Sequence, residues 1–435
     1  MKYLFTLLLF LGLTTAHSQT LYFPPLVGAT WQTTTTEELG WCADSLPALI
    51  DYVGQNNSKA FLILKDGKLW VEAYYGTFTR DSLWYWASAG KSLTGFMVGM
   101  AKEQGFIDIN APSSQYLGNG WTSETPQQEA NITVLNQLTM TSGLNDGVAS
   151  PDCTIDTCLE YLADAGTRWA YHNAPYTLLD GVMSGATGST VNQFFGSNVR
   201  NRLGMGLSGY VMTGENNVMF STARAFARFG LMVLNRGVWN QDTLMHDMNY
   251  FDAMTNTSQN LNLSYGYLWW LNGKASYMMP GSQIVFPGSL IPNAPADMFS
   301  ALGKNCQYLN IVPSKGIVLV RMGDDPDGIV GLVPTVLDNE IWRRLNLIMC
   351  DNPLSNQEAS SKSIKVFPNP TSTQFQVQLA PTEQIQLLEL LDLQGRSIAQ
   401  TSQSTISVDA VADGIYLLHI QTNKGTHLHK VQIAR

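Results

Sequence analysis

A serine three residues before a lysine, Ser88-Ala-Gly-Lys91, occurs once in the 435-residue chain. The pair opens a helix-like run, Ala89 to Gln104, directly after a strand-like stretch. A serine at a helix start lies among free backbone N–H groups, which favour developing negative charge. A lysine one turn on shares its face and reaches the hydroxyl. If that lysine is desolvated, its pKa falls and it can take the serine's proton. This is acyl-transfer chemistry that needs no histidine.

Two further segments carry suitable groups. Trp169-Ala-Tyr171-His172-Asn173-Ala-Pro175-Tyr176 reads as a loop running into a helix. A tyrosine beside a lysine relays a proton between nucleophile and leaving group, and the Asn173 amide can orient both the lysine and a substrate carbonyl. Taken alone, the same residues also read as a buried aromatic cluster with a capping Asn. Phe299-Ser-Ala301-Leu-Gly303, ahead of the strand Tyr308 to Val312, offers a backbone N–H. The N–H groups of Ser88 and Ala301 would then form an oxyanion hole. The plainer reading is an edge strand with small residues at its start.

Other catalytic plans lack their residues. The chain has no Gly-x-Ser-x-Gly elbow, no His-Glu-x-x-His and no Gly-x-x-x-x-Gly-Lys. Before the C-terminal unit only His17, His172 and His246 occur, so a Ser-His-Asp triad has no supporting motif. No metal site and no cofactor are expected.

The elements that must position these groups follow from pattern. A helix over Leu46–Val53 precedes a hairpin, Phe61–Leu64 and Leu69–Tyr74, turned at Asp66-Gly67. Helical runs and Gly/Asn/Pro-rich loops alternate from about 106 to 255, with a clear helix over Ser221–Leu234. Strands return at Tyr308–Val312 and Ile317–Met322, before a helix over Leu332–Leu347. Strands at both ends with helices between predict an α/β (α+β) fold: one sheet built from distant segments, plus a helical insertion. Residues 351–363 read as a polar linker. Residues 364–435 read as a small β-sandwich, with strands at Phe375–Leu379, Ile385–Leu393, Gly414–Ile420 and His427–Ile433 and turns at 394–396 and 423–425.

Composition sets the class. A 45% hydrophobic fraction indicates a folded chain, and a net charge of -9 argues against nucleic acid or anionic membrane as partner. Lys2, the apolar run Leu4–Leu13 and Ala16-His17-Ser18 read as a signal peptide over residues 1–18, against a buried N-terminal helix. No later run is long enough to span a bilayer. Of five cysteines, Cys153 and Cys158 can close a small loop. Cys42, Cys306 and Cys350 then leave at least one thiol unpaired, or bridged to another chain, and their pairing stays open.

Taken together, these elements resemble the serine β-lactamase and penicillin-binding-protein superfamily, and within it the class C-related esterase and 6-aminohexanoate-dimer-hydrolase branch. The likeness spans roughly residues 40–347, within a domain taken as 19–350. It includes Ile132–Leu144, Ser221–Gly230 and Tyr265-Gly-Tyr-Leu-Trp-Trp270. It implies Ser88 as acylated nucleophile, Lys91 as proton acceptor, Tyr171 as general acid/base and Asn173 as substrate-orienting amide. Alignment through Pro313 sets the family's Lys-Thr-Gly near Met298-Phe299-Ser300. Met298 and Phe299 offer neither charge nor hydroxyl to a penicillin carboxylate, with Lys304 the nearest cation along the chain. An ester, amide or peptide substrate is therefore expected. The alternatives are a true β-lactamase or D-alanyl-D-alanine carboxypeptidase, or a non-catalytic binding member.

The C-terminal unit resembles the type A sorting domain of the type IX secretion system. Its marks are Val366-Phe-Pro368-Asn369-Pro370, Asp392-Leu-Gln-Gly395-Arg396, Asp413-Gly414-Ile415-Tyr416 and Lys430–Ile433. This implies a Bacteroidota-type host and passage through the periplasm to the cell surface or medium. The competing reading is a carbohydrate-binding sandwich.

Overall fold

The computed structural model describes residues 21–326, 335–350, 364–379, 383–392, 397–423 and 425–435. The expected signal peptide, the 351–363 linker, the 394–396 turn and the first residues of the last expected helix lie outside them.

The first and last strands of the large unit meet in one antiparallel sheet. Its order is Lys68–Tyr74, Ser58–Lys65, Ile317–Gly323, Gln307–Val312, Phe299–Gly303 and Trp270–Leu271. Leu62 pairs with both Val320 and Glu72. The central strands are buried on both faces, so they read as unbroken apolar runs rather than as alternation. The hairpin between the first two strands turns on Asp66 and Gly67, both at positive φ (50° and 84°), which the two-residue turn requires.

Helices cover both faces of this sheet. Leu46–Gln55 and Val336–Ile348 pack together on one. On the other, Ala223–Leu234 lies over the Ser58–Lys65, Gln307–Val312 and Ile317–Gly323 strands. The Thr222 hydroxyl caps it, accepting from Ala225 N–H at 3.2 Å. A Cβ on Gly230 would lie 2.5 Å from Leu309, so the helix needs glycine there to sit close. The helical insertion includes Asn173–Thr177 and Leu179–Thr187, and a separate three-stranded sheet is formed by Trp84–Tyr85, Asn216–Ser221 and Gly209–Thr213.

Two disulfides are present, Cys42–Cys350 and Cys153–Cys158, while Cys306 is a buried free thiol. The first joins the two ends of the large unit, 308 residues apart. Cross-linking so long a loop removes much unfolded-chain entropy. Replacing both Cys42 and Cys350 by serine should cost about 2–5 kcal/mol of stability, read by thermal and denaturant unfolding.

Residues 364–435 form two sheets. One contains Lys365–Phe367, Gln374–Gln378 and Thr405–Ser407, and the other Ser397–Thr401, Ile385–Leu391, Gly414–Thr422 and Gly425–Ile433. Phe375, Val377, Leu388, Leu390, Leu418 and Ile420 fill a core of their own.

Candidate active site

The turn that carries Ser88 is fixed from both sides. Trp84 and Tyr85 pair with Ser221 and Phe220. Trp86 N–H then donates to Met219 O at 2.8 Å, and its indole N–H donates to Ser221 Oγ at 2.7 Å. The Trp86 ring stacks on Phe226 at 3.8 Å. Ala87 follows with φ +47°, a costly conformation for a residue with a Cβ. This bend turns the chain from strand into the Ala87–Ala89 turn and the Gly90–Glu103 helix. That helix is buried almost throughout, because Gly95 and Gly99 let it approach Tyr267 O and the Tyr250 ring.

Lys91 Nζ donates to Ser88 Oγ at 3.3 Å. The amine is 4.1 Å from the Tyr176 ring centre and 5.3 Å from that of Tyr171. Burial drives its pKa down to about 7, with the Asp152 charge pulling the other way. Near neutral pH about half of this amine is therefore uncharged beside the hydroxyl. The Tyr171 side chain also hydrogen-bonds Ser88, and burial raises its phenol well above the usual value. Its ring is stacked on Trp270 and edge-on to Tyr265. Tyr171 thus rests as a phenol, ready to pass a proton rather than to hold a charge. His172 is buried and pushed to about 4, which keeps its imidazole neutral.

Asn173 Nδ2 donates to Asp152 Oδ1 at 2.7 Å. Asp152 adjoins Cys153, so the small disulfide loop tethers it to this wall. Ser88, Lys91, Asn173 and Asp152 line one cleft of about 500 Å³.

Ala301 does not face this cleft. Asn272 N–H donates to Met298 O at 2.9 Å, so Met298, Ser300 and Leu302 point their backbone groups toward the Trp270–Leu271 edge. Alternation along the strand turns the Ala301 N–H toward Leu309 on the other side. Gly303 is extended (φ -131°, ψ 155°), so the next N–H on the outer edge belongs to Lys304. A Cβ on Gly303 would lie 2.3 Å from Trp86 O and 3.1 Å from Ala89 N, so the strand end abuts the Ser88 turn. Lys304 lines the cleft and Ala301 is fully buried. The Ala301 N–H is thus held in the strand ladder, and Lys304 is the strand-end residue that lines the cleft. The cause is a register set by pairing with Gln307–Val312, which linear spacing does not reveal.

Several cleft residues had no sequence signal. Thr213, Asn216, Asn217 and Phe220 come from the hairpin next to Trp84–Tyr85. Asp152 has only its neighbouring cysteine to mark it. Among the described residues no cluster of three or more His, Cys, Asp or Glu is placed to hold a metal. No helix among them is long and apolar enough to cross a membrane.

The fold recurs in solved structures. A putative β-lactamase from Bacteroides dorei is 17% identical, with a TM-score of 0.55 over 71% of this chain and 98% of that one. A putative 6-aminohexanoate-dimer hydrolase from Bacillus anthracis is 18% identical, with a TM-score of 0.54 over 74% and 87%. A family VIII carboxylesterase is 14% identical, with a TM-score of 0.52 over 70% and 98%. These define a β-lactamase-like fold. Residues 54–329, more than half the chain, match the Beta-lactamase family model, and the chain belongs to that family. Residues 365–434 match the Secretion system C-terminal sorting domain, which marks the chain for export. No curated protein matches it.

Proposed function

We propose that the chain is an exported serine hydrolase that cleaves an ester or amide bond through an acyl-enzyme on Ser88. The observation that carries this reading is the buried Lys91 amine, which sheds its proton near neutral pH, 3.3 Å from Ser88 Oγ. Lys91 takes the Oγ proton as Oγ bonds to the substrate carbonyl carbon. The resulting oxyanion is held by the N–H groups of Ser88 and Lys304. The bond to the leaving group breaks, and the proton returns to that group through Tyr171. Water then attacks the acyl carbon by the same route in reverse, releasing the acid and restoring Ser88. Asn173, fixed by Asp152, orients the substrate carbonyl.

The ester or amide preference rests on residues 298–304, where no Lys-Thr pair meets a penicillin carboxylate. Residues 364–435 would engage the type IX machinery and deliver the protein to the cell surface or medium. A fluorophosphonate probe should add one adduct, on Ser88, read by intact mass and peptide mapping. A folded protein without that adduct would refute the mechanism. Rapid nitrocefin turnover would instead favour a β-lactamase.

A further inference from the structure

The hairpin beside the Ser88 turn brings two consecutive asparagines to the cleft. Gly214, at φ +60°, leads the two-residue turn between Gly209–Thr213 and Asn216–Ser221. Thr213 therefore pairs with Asn216, and Met212 with Asn217. Asn216 and Asn217 are half-buried and line the same cleft as Ser88 and Lys91.

Each amide is held by a residue that follows Asn173 in the chain. Thr177, the last residue of the Asn173–Thr177 helix, donates its hydroxyl to Asn216 Oδ1 at 3.2 Å. Asp180, in the first turn of the Leu179–Thr187 helix, accepts from Asn217 Nδ2 at 2.6 Å. Burial raises the Asp180 carboxyl to about 6, so it is ionised at neutral pH. An ionised carboxylate only accepts, which fixes the nitrogen end of Asn217 toward it. The two amides are thus set with opposite polarity. Asn217 keeps Oδ1 as an acceptor and Asn216 keeps Nδ2 as a donor, and among the described residues neither end has a partner. A peptide matches this arrangement. In an extended chain the N–H and C=O of one residue point to the same side, as they do in a strand ladder. A hydroxyl instead rotates to suit either polarity, so holding both asparagines selects nothing for it. Amides already oriented in the free protein lose little freedom on binding.

We propose that Asn216 and Asn217 form a specificity site for a peptide unit of the substrate, the Asn217 oxygen accepting its N–H and the Asn216 nitrogen donating to its C=O. The preferred substrates then carry a peptide unit besides the scissile bond. This rests on the acyl-transfer reading and narrows its substrate class to peptide-like molecules rather than simple alkyl esters.

The test uses two pairs of esters in which one N–H of a glycine unit is replaced by CH2. On the acyl side, p-nitrophenyl 4-(acetylglycylamino)butyrate is compared with p-nitrophenyl 4-(levulinoylamino)butyrate. On the leaving group, 4-(acetylglycylamino)phenyl butyrate is compared with 4-(levulinoylamino)phenyl butyrate. In the wild type at least one glycyl-to-levulinoyl ratio of kcat/KM should be about three- to tenfold. Asn217→Ala should bring that ratio to about one, and Asp180→Ala should lower it because the Asn217 amide then turns freely. Asn216→Ala should instead lower kcat/KM for the levulinoyl ester of that side, relative to p-nitrophenyl or phenyl butyrate, since its C=O loses a donor. Ratios near one in the wild type, or unchanged by Asn217→Ala, would overturn the proposal. An equal gain for the glycoloyl esters, which place a hydroxyl at the same point, would overturn it in favour of hydroxyl recognition. Binding of N-acetylglycine N-methylamide and N-methyllevulinamide to Ser88→Ala, read by saturation-transfer NMR, separates the two readings. Tighter binding of the glycine compound, lost in Ser88→Ala/Asn217→Ala, supports the peptide site even if no ester is turned over. Turnover with equal binding and unchanged ratios leaves the hydrolase standing and removes the peptide site.

Discussion

Lys91→Met should abolish turnover and at the same time stabilise the fold. Without the amine, nothing within reach takes the Ser88 proton, and removal of a positioned base costs about 10²–10⁴-fold in rate. The stability change comes from the same burial that tunes the base. An unfolded lysine titrates near about 10.4, whereas Lys91 in the fold titrates at about 7. Between these values the unfolded chain binds more protons, so wild-type stability rises with pH from about 7 to 10. Below pH 7 the full penalty is present, on the order of 4 kcal/mol. Methionine has no proton to lose and suits an apolar site. The variant should therefore unfold at a higher temperature than wild type at pH 7, with the difference closing as pH approaches 10. Wild-type kcat/KM should also climb through pH 7 as Lys91 becomes neutral. Thermal melts across pH, paired with a pH–rate profile, check both. A melt difference independent of pH, or activity of the Lys91→Met variant within tenfold of wild type, would contradict this account.

The parts of the site that the sequence displays are those where chemistry and spacing are local. Ser88 and Lys91 lie one helical turn apart, so their approach follows from helix geometry alone. The Asp66-Gly67 turn and the Thr222 cap are similarly short-range signals. Long-range pairing is a different matter. Whether Ala301 or Lys304 faces Ser88 depends on the parity of a strand pinned by Leu309 and Asn272, and a single-residue shift in register reverses every N–H. The Cys42–Cys350 bridge spans 308 residues and has no local mark. Arg321 reads as a charge in an apolar strand, and only the fold shows that backbone carbonyls and the Ser58 hydroxyl satisfy it. Asn216 and Asn217 belong to a hairpin whose place at the cleft is set by Trp84 and Tyr85 pairing with Ser221 and Phe220.

Gly303→Ala should disable the enzyme through sterics alone. The residue's φ and ψ (-131°, 155°) suit any L-amino acid, so the substitution carries no conformational penalty of its own. The obstacle is the added methyl, 2.3 Å from Trp86 O and 3.1 Å from both Ala89 N and the Gln307 Cβ. Two of these are backbone atoms of the turn that holds Ser88, and they cannot rotate away as a side chain end would. Trp86 is itself tied to Met219 O and Ser221 Oγ and stacked on Phe226. Either the turn or the strand end must therefore shift, and each carries one N–H of the proposed oxyanion hole. Overpacking of this kind costs about 1–3 kcal/mol. A displacement approaching about 1 Å at reacting groups costs about 10²-fold in rate. The expected result is a kcat reduced about 100-fold at temperatures where the variant is fully folded. The Cys42→Ser/Cys350→Ser protein, destabilised by a comparable amount far from Ser88, supplies the contrast: it should keep most of its kcat at those temperatures. Equal kcat losses in the two proteins would show that stability, and not the fit of Gly303 against the Ser88 turn, governs activity.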